Sequence, residues 1–421
     1  MISSSLASRH RCLAAILFGA GAFVLAACES FNTGSGVNPS SLGILPQSLA
    51  RPATLTTCKM GTVLCWKLFS VGPFTTVGGG NTSLTALTED SKATTFSTTK
   101  NVPTCTPTIV GISFATTSEP YSFIAAPNNT ACDSTLLGQY TEPSPYPPSP
   151  HNKGTHLSGI YGAYTVGYAL GNKTIPGCTS NVACGIIYDP GATSAAQQLF
   201  QVQHPNSCST YLYGTSDARI QVGYYTTGTK CVAQAVEEYS PSTSSQQPPF
   251  CSSPPFPSSS CGPQFADLRP SGTSSKAFGI NVEGDVVGTD TATGGTVSWE
   301  FQGLKYAPIT TSYPGVSNMQ ALGISFAGLV VGSYVDSIGT HGFVQNNSDT
   351  FTIDFPGSNF TVVNAINTQQ EIAGWYKGSN AISNGFVGFC HVSQPSNCPD
   401  NKGSSLSMLT GGLGSAMRPR R

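Results

Sequence analysis

A segment that recurs along the chain constrains its fold more than any other feature. Three stretches align with one another, each running from a Gly-Ile-Asn-like step to a Val-Val-Gly-like step, at residues 277–288, 321–332 and 363–374. The final glycines, Gly288, Gly332 and Gly374, lie 44 and 42 residues apart. A period of this length is typical of stacked units or propeller blades, in which each unit buries its faces against its neighbours.

Looser copies of the segment precede these three. They end, in chain order, at Val71-Gly72, Gly111, Gly167 and Gly223, and the first two are the weakest. From Gly223 to Gly288 the gap is 65 residues, but it contains 25 residues, 239–263, that are rich in Pro, Ser and Gln. Without that stretch the spacing is 40 residues. We therefore expect an insertion in one loop of an otherwise regular unit.

The pattern inside one unit predicts four short strands. Turn-forming residues separate four apolar or β-branched stretches, at residues 321–325, 329–335, 341–345 and 350–355. The composition agrees, because 46 Gly, 30 Pro and only 9% charged residues favour strands and turns over exposed helices. We predict an all-β repeat domain over residues 57–398, most simply a β-propeller of six or seven four-stranded blades. An open β-repeat stack or a sandwich is the alternative.

The repeat resembles the HAF family of bacterial extracellular repeats. In that family a Gly-Ile-Asn segment, a Val-Val-Gly segment and a His-Ala-Phe segment recur in this order, and residues 277–389 carry the likeness most clearly. Here Gly279-Ile280-Asn281 and Val330-Val331-Gly332 match the first two segments, and His341-Gly342-Phe343 stands in the third. Because other repeats lack that His, we expect no repeated histidine chemistry. The resemblance implies extracellular placement and repetition, without a reaction.

The N-terminus carries an export signal. Arg9 and Arg11 precede an apolar run from Leu13 to Leu25, and Leu25-Ala26-Ala27-Cys28 resembles the lipobox of bacterial lipoproteins. We expect a signal peptide at residues 1–27 and a lipidated Cys28 that anchors the protein to a membrane. Glu29 stands where an inner-membrane lipoprotein has Asp, which favours the outer membrane.

The segments that flank the repeat domain are poor in apolar residues. Residues 28–56 are rich in Gly, Ser, Asn and Pro, which predicts a flexible tether between the lipid and the domain. Residues 399–421 predict a disordered Gly/Ser-rich and basic tail. After loss of the leader the chain has 17 basic and 20 acidic side chains. This balance excludes nucleic acid as an expected partner, because phosphate binding needs clustered Lys and Arg.

The cysteines indicate an oxidising compartment. Apart from Cys12 in the leader and Cys28, an even number remains, and we expect local disulfides between sequence neighbours: Cys58 and Cys65, Cys105 and Cys132, Cys178 and Cys184, Cys208 and Cys231, Cys251 and Cys261, and Cys390 and Cys398. No C-x-x-C motif occurs, and the histidines are not interleaved with the cysteines at zinc-ligand spacings. We therefore expect no metal site.

No linear catalytic motif stands out, but a set of aromatic residues does. The chain lacks a G-x-S-x-G elbow, a Walker loop, an H-E-x-x-H motif and an EF-hand loop, so we assign no catalytic residue and no cofactor. An aromatic residue follows the Val-Gly step in several units, as Tyr168, Tyr224, Tyr334, Trp375 and Tyr376. These rings either pack between blades or form stacking platforms for a ligand, and the sequence leaves both open.

Two classes of function fit these observations. We favour a lipid-anchored envelope scaffold for binding or adhesion, with a polysaccharide or an envelope protein as its partner. The alternative is an envelope enzyme that acts on polysaccharide or cell-wall polymer through a site assembled from several repeats. Convergence of Asp189, Asp217, Glu283 and Asp336 at one mouth of the domain would favour the enzyme. Scattered carboxylates would favour binding.

Overall fold

The structure is a computed structural model that describes the repeat domain with gaps. The described residues are 65–74, 80–88, 106–114, 120–128, 138–148, 154–171, 175, 178, 182–190, 199–205, 207–216, 220–229, 231–239, 264–268, 274–292, 295–302, 305–310, 315–346, 349–368, 370–379 and 382–391. The expected signal peptide, Cys28, the tether, nearly all of the Pro/Ser-rich insertion and the C-terminal tail lie outside them. No helix in the described part is long and apolar enough to cross a membrane.

The described residues form 23 strands. In chain order they are β1 (Cys65–Val71), β2 (Asn81–Leu87), β3 (Ile109–Phe114), β4 (Tyr121–Ala125), β5 (Thr155–Tyr161), β6 (Tyr164–Leu170), β7 (Ala183–Tyr188), β8 (Leu199–Val202), β9 (Ser209–Thr215), β10 (Ile220–Thr227), β11 (Val232–Tyr239), β12 (Gln264–Asp267), β13 (Ser274–Ile280), β14 (Val286–Ala292), β15 (Gly295–Gln302), β16 (Lys305–Ile309), β17 (Ser317–Ile324), β18 (Val330–Val335), β19 (Thr340–Asn346), β20 (Asp349–Ile353), β21 (Thr361–Ile366), β22 (Ile372–Lys377) and β23 (Ser383–His391).

These strands form six antiparallel sheets arranged as a six-bladed β-propeller. We number the blades in chain order: blade 1 is β2–β4, blade 2 is β5–β8, blade 3 is β9–β12, blade 4 is β13–β16, blade 5 is β17–β20, and blade 6 is β21–β23 with β1. Five sheets have four strands, and blade 1 has three, extended by an isolated bridge between Phe123 and Pro145. The predicted four-stranded unit is confirmed, and the blade number is six.

The first strand of the chain closes the ring. β1 pairs antiparallel with β23, with Cys65 opposite His391 and Val71 opposite Gly385, so blade 6 combines strands from both ends of the described chain. This pairing removes the open ends that a linear stack would expose. It also explains the weakest repeat candidate: Val71 ends the outermost strand of blade 6, whereas the other candidates lie on second strands.

Every innermost strand carries a β-bulge at the same position. The register of each first strand shifts by one residue against the second strand. The bulged residues are Thr85, Ser158, Tyr213, Phe278, Leu322 and Asn364. A bulge increases the local twist and bends the strand, which lets six strands turn around one axis.

The bulges explain the glycine that ends each Val-Gly step. A Cβ on Gly332 would overlap the carbonyl oxygen of Gln320, two residues before the bulge of the same blade. The same overlap with a first-strand carbonyl occurs at Gly167, Gly223, Gly288 and Gly374. At Gly111 the Cβ would lie 2.7 Å from the carbonyl oxygen of Ser83. The repeated glycine is therefore required by a close backbone approach.

The apolar residues of the repeat fill the space between blades. The residue before each bulge is fully buried, at 0% exposure: Leu84, Leu157, Leu212, Ala277, Ala321 and Val363. The residue before each second-strand glycine is equally buried: Val110, Val166, Val222, Val287, Val331 and Ala373. Val222 of blade 3, for example, packs in one cluster with Ala277 of blade 4. The core is thus a ring of contacts between neighbouring sheets.

The Asn of the Gly-Ile-Asn step caps the first turn and links two blades. The Oδ1 of Asn281 accepts hydrogen bonds from the backbone N–H groups of Glu283 at 3.0 Å and Asp285 at 2.9 Å. Its Nδ2 donates to the carbonyl oxygen of Ser325 in blade 5 at 3.1 Å. Asn367 repeats the pattern, donating to the carbonyl oxygen of Thr88 in blade 1 at 3.2 Å. Such side-chain caps satisfy turn donors that the sheet leaves unpaired.

The strand order defines two faces of the propeller. The turns between the first and second strands, and between the third and fourth strands, lie on what we call the lower face. The turns between the second and third strands, and the connections between blades, lie on the upper face. The Pro/Ser-rich insertion follows Tyr239 and precedes Gln264, so its ends lie on the lower face of blade 3. The expected insertion in one loop therefore falls between a third and a fourth strand.

Candidate functional site

The six bulges and the residues after them form a closed ring of contacts around the central axis, which we call the floor. The Oγ1 of Thr85 in blade 1 donates to the carbonyl oxygen of Leu157 in blade 2 at 2.8 Å. The Nδ2 of Asn364 in blade 6 donates to the carbonyl oxygen of Leu84 in blade 1 at 2.6 Å. These two hydrogen bonds join blade 1 to its neighbours on both sides.

Glycines make the remaining contacts of the floor. They stand directly after the bulges of blades 2 to 5, where a Cβ would meet the backbone of the next blade. That Cβ would lie 2.6 Å from the Tyr213 oxygen for Gly159, 2.9 Å from the Phe278 oxygen for Gly214, 2.8 Å from the Gly323 Cα for Gly279, and 2.8 Å from the Asn364 oxygen for Gly323. The glycine of the Gly-Ile-Asn step is therefore needed where innermost strands converge on the axis.

Above the floor, aromatic rings form a continuous wall that we call the aromatic arc. It consists of His156, Tyr168, Tyr211 and Tyr224, and it ends at Lys276. The His156 ring stacks on Tyr168 at 4.6 Å between centroids, and Tyr168 meets Tyr211 edge to face at 5.0 Å. Tyr211 stacks on Tyr224 at 4.6 Å, and the Lys276 Nζ lies 5.1 Å from the centroid of that ring. The arc therefore crosses blades 2, 3 and 4.

The bulged aromatic residues join the arc to the floor. Tyr213 contacts Phe278 of the next blade edge to face at 5.0 Å, and its ring centroid lies 5.9 Å from that of Tyr224. Burial and neighbouring tyrosines raise the pKa of Tyr168, Tyr213 and Tyr224 above the ordinary range. All three phenols are therefore uncharged at neutral pH, and Tyr213 hydrogen-bonds to the hydroxyl groups of both Tyr168 and Tyr224.

The channel wall carries very little charge. Lys276 is the single Lys, Arg, Asp or Glu on the six innermost strands. Burial lowers the pKa of His156 to about 4, so the imidazole in the arc is neutral at pH 7. The innermost strands therefore contribute aromatic rings, hydroxyl groups and one lysine to the mouth.

The aromatic residues predicted from the repeat do not form a single ring. Tyr168 and Tyr224 belong to the aromatic arc, and Tyr224 is only 3% exposed. Tyr334 is also 3% exposed, and its hydroxyl lies 2.7 Å from the Thr352 Oγ1. On blade 6, Trp375 contacts Phe360 at 4.7 Å and Tyr376 stacks on Phe355 at 3.6 Å. The faces of Tyr224, Tyr334 and Tyr376 are thus occupied by protein neighbours.

Sequence reasoning missed two members of the arc. His156 and Tyr211 lie on the innermost strands, directly opposite Tyr168 and Tyr224 in the sheet register. The signal available was their position two residues before each bulge. That position can be recognised only after the bulges on the first strands have been located. The Val-Gly pattern of the second strands does not show where those bulges are.

The structure describes two of the predicted cysteine pairs in full. The disulfide between Cys178 and Cys184 is present as predicted. Cys208 and Cys231 face each other as thiols, with 2.9 Å between their Sγ atoms. For Cys65 and Cys390 only the backbone is described. The other predicted partners, Cys58, Cys105, Cys132, Cys251, Cys261 and Cys398, lie outside the described residues, so their pairings stay predictions.

The four candidate carboxylates do not converge. Asp189 follows a third strand and Glu283 lies in a first turn, so both lie on the lower face. Asp336 follows the second strand of blade 5 and lies on the upper face. Asp217 is outside the described residues. The three described residues are therefore divided between opposite faces.

A polar cluster on the upper face of blade 5 surrounds the repeat histidine. The Nδ1 of His341 lies 2.7 Å from the Asp354 Oδ1, and its Nε2 lies 3.1 Å from the Asp336 Oδ1. Asp336 also accepts hydrogen bonds from the backbone N–H groups of Ile338 and Gly339, which with His341 outweigh burial and lower its pKa. The cluster fixes the loops that flank β19. His341 itself is only 1% exposed, so it offers no open face to a ligand.

A shallow pocket of about 480 Å³ adjoins these loops. It is lined by Gly357, Ser358, Asn359, Lys377, Gly378 and Ser379. The backbone N–H of Thr340 donates to the carbonyl oxygen of Asn359 at 3.1 Å, which connects the pocket wall to blade 5. Among the described residues, no group of three or more His, Cys, Asp or Glu side chains is placed to hold a metal ion.

Comparisons with known proteins assign no family to the chain. No family model matches the chain, and no curated protein matches it. Among solved structures, the chain is similar to a crystal structure of a puromycin hydrolase mutant complexed with PGG, with a TM-score of 0.37 and 9% sequence identity. The match covers 65% of this chain and 40% of that chain. A likeness this distant carries no argument about activity.

Proposed function

We propose that this protein is a lipid-anchored β-propeller of the bacterial cell envelope that binds a saccharide at its upper mouth. The observation that carries the proposal is the aromatic arc, a wall of rings above a closed floor. His156, Tyr168 and Tyr211 are half-buried, so the part of each ring that its neighbours leave exposed can meet the C–H surface of a sugar, while the polar edges reach its hydroxyl groups. A concave site with a few polar groups among aromatic side chains is typical of small-ligand binding.

The envelope location is supported by the N-terminal sequence and by the cysteines. The lipobox-like segment ending at Cys28 supports anchoring by a lipid, and Glu29 favours the outer membrane. The disulfide between Cys178 and Cys184 agrees with an oxidising compartment outside the cytoplasm. The resemblance to the HAF repeats supports the same placement. An envelope polysaccharide is the expected ligand class.

Binding is favoured over catalysis by the distribution of acidic side chains. Hydrolysis of a glycosidic bond by the usual route needs two carboxyl groups that flank the scissile bond. The innermost strands contain no Asp or Glu, and the described candidate carboxylates are divided between the two faces. We therefore assign the protein to recognition or adhesion.

The proposal is tested by binding measurements on the mature chain from Cys28, prepared without lipid, against a panel of envelope polysaccharides. We expect at least one polysaccharide to bind, and Tyr211→Ala to weaken it about tenfold, since removal of one stacked ring costs about 1.4 kcal/mol. Tyr161→Ala is the matched control, because Tyr161 lies in the same propeller at the lower face and is 37% exposed. Equal losses in both variants, or no binding to any polysaccharide, would contradict the proposal.

A further inference from the structure

We propose that Cys208 and Cys231 form a thiol–disulfide exchange site on the upper face of blade 3, at which a small thiol such as glutathione opens the disulfide of the folded protein. This inference goes beyond the proposed function and does not depend on it. Three observations carry it: the two sulfur atoms are in contact, both residues are accessible, and both thiol protons have acceptors.

The pair joins two upper-face segments on either side of the second strand of blade 3. Cys208 directly precedes β9, the innermost strand, and Cys231 directly precedes β11, the third strand. The Cys208 N–H donates to the Thr226 carbonyl oxygen at 2.6 Å. The Cys231 N–H donates to the Gly228 carbonyl oxygen at 3.2 Å. Because these backbone hydrogen bonds do not involve sulfur, they keep the two residues close together when the disulfide is open.

Both oxidation states fit this geometry. The Sγ atoms of Cys208 and Cys231 are 2.9 Å apart. A disulfide bond is about 2.05 Å long, so closure needs a movement of about 1 Å. In the open state the Cys231 thiol donates to the Cys208 Sγ, and the Cys208 thiol donates to the Gly228 carbonyl oxygen at 3.5 Å. Each thiol proton thus has an acceptor, and blade 3 accommodates the dithiol without rearrangement.

Access separates this pair from the disulfide of blade 2. Cys208 and Cys231 are half-buried, whereas Cys178 and Cys184 are only 4% and 1% exposed. The latter two belong to the apolar core between blades 1 and 2. Exchange requires an incoming thiolate to reach a sulfur atom of the disulfide. A small thiol therefore reaches the pair on blade 3 while the propeller stays folded, and does not reach the disulfide of blade 2.

The backbone of Cys231 favours opening. Its φ of +47° lies in the left-handed region, which L residues other than Gly, Asn and Asp rarely adopt. A closed disulfide adds a restraint that holds the turn in this conformation, and opening removes it. Strained or exposed disulfides are the more easily reduced ones, so the turn geometry and the exposure of the pair act in the same direction.

Reduction at this site takes two exchange steps. A glutathione thiolate attacks one sulfur of the disulfide, a mixed disulfide forms, and the other cysteine leaves as a thiolate that takes a proton from water. A second glutathione thiolate then attacks the glutathione sulfur of the mixed disulfide, which releases glutathione disulfide and the second cysteine thiol. The two electrons that reduce the protein come from the two glutathione molecules, which together lose two protons. Closure by glutathione disulfide is the reverse reaction.

Opening of the pair affects the upper end of β9. β9 is the last strand of its sheet and lies next to β10, and the disulfide links its start covalently to a segment beyond β10. Tyr211 of the aromatic arc follows Cys208 on the same strand. Loss of the covalent link leaves the start of β9 held by hydrogen bonds alone. We therefore expect local opening to become more frequent there.

The first experiment equilibrates the folded mature chain, without lipid, in buffers of graded glutathione to glutathione disulfide ratio. Thiols are then blocked with N-ethylmaleimide, and each cysteine peptide is identified by mass spectrometry. We expect Cys208 and Cys231 to be joined in oxidising buffers and to become labelled together as the share of glutathione rises. The disulfide between Cys178 and Cys184 is the internal control and should stay closed at every ratio until urea is added.

Hydrogen exchange on the same samples measures the effect on β9. In the reduced protein we expect residues 207–212 to exchange at least about threefold faster than in the oxidised protein. The innermost strand of the next blade, β13, is the matched control and should exchange equally in both states.

Each contrary outcome removes a defined part of the inference. Mapping that joins Cys208 or Cys231 to another cysteine would overturn the pair. A pair that keeps one oxidation state at every ratio in the folded protein would overturn exchange. The same holds for a pair that opens only together with the disulfide between Cys178 and Cys184, because global unfolding would then be the cause. Equal exchange of residues 207–212 in both states would overturn the link to β9.

Discussion

The regular and the divergent halves of the propeller use the same backbone plan for different purposes. Blades 4 to 6 keep the Gly-Ile-Asn and Val-Val-Gly steps closely, and two of them carry the Asn cap that reaches the next blade. Blades 1 to 3 keep the buried Val-Gly step but vary elsewhere, and most of the aromatic arc lies there. The repeat is therefore conserved among the blades where its residues link neighbouring sheets, and the candidate site lies where half-buried positions of the innermost strands carry aromatic residues.

The comparison predicts first that the second-strand glycine is indispensable in both halves. We expect Gly332→Ala in blade 5 and Gly223→Ala in blade 3 each to cost about 4 kcal/mol or more, because the new Cβ overlaps a backbone carbonyl that cannot move without breaking the bulge. Chemical denaturation of the purified variants measures this loss.

A glycine with open surroundings provides the control. At Gly162 no atom lies within 4 Å of an added Cβ, although its φ of +59° makes Ala somewhat strained. Gly162→Ala should cost about 1 kcal/mol. A loss at Gly332 no greater than that at Gly162 would refute the close-approach explanation of the repeat.

The second prediction concerns the caps of the regular half. Asn367→Ala removes the acceptor of the Glu371 backbone N–H and the Nδ2 that lies 2.6 Å from the Glu371 Oε2, and that carboxylate is only 1% exposed. We expect a loss of about 3 kcal/mol in the free energy of unfolding. Ser325→Ala, at the equivalent position of blade 5, removes one acceptor for the Leu329 N–H and should cost about 1 kcal/mol. Equal losses would show that the two Nδ2 hydrogen bonds of Asn367, to the Glu371 carboxylate and to the Thr88 carbonyl oxygen of blade 1, add nothing together.

The third and smallest effect is a pH dependence that belongs to the divergent half. The pKa of His156 falls from 6.5 to about 4 on folding, so between these values the folded protein binds fewer protons than the unfolded chain. The free energy of unfolding should therefore decrease as the pH falls from 6.5 to 4. We expect this histidine to account for about 2 kcal/mol, allowing for its partial exposure.

His156→Phe isolates this contribution. Phe keeps a flat ring for stacking on Tyr168 but does not titrate, so the variant should lose that part of the pH dependence and keep its stability near pH 7. Thermal unfolding between pH 4 and pH 7 measures both. Parallel pH curves for the wild type and the variant would show that His156 is not the titrating group.

Much of the fold was predictable, and particular residues show where prediction ended. The strand pattern of one unit was predicted within a few residues, because buried Val and Ile alternate with turn formers in residues 321–355. The prediction that Val71-Gly72 ends a copy of the repeat was wrong, because Val71 ends the outermost strand of blade 6. A Val-Gly pair at that strand end has the same local sequence pattern as one on a second strand. His341 was recognised as a lone repeat histidine, but its partners Asp336 and Asp354 were not, since they lie on either side of β19 and meet only when the sheet forms.

The sequence by itself determined the repeating unit, its all-β character and the positions that must be glycine or apolar. Those properties follow from local steric limits on the backbone and from the burial of alternate residues along each strand. Both act in every copy of the repeat. The tertiary structure alone decided the number of blades and the composition of the mouth. Ring closure depends on the pairing of β1 with β23, and the arc depends on contacts such as that of Tyr168 with Tyr211, which packing creates between separate blades.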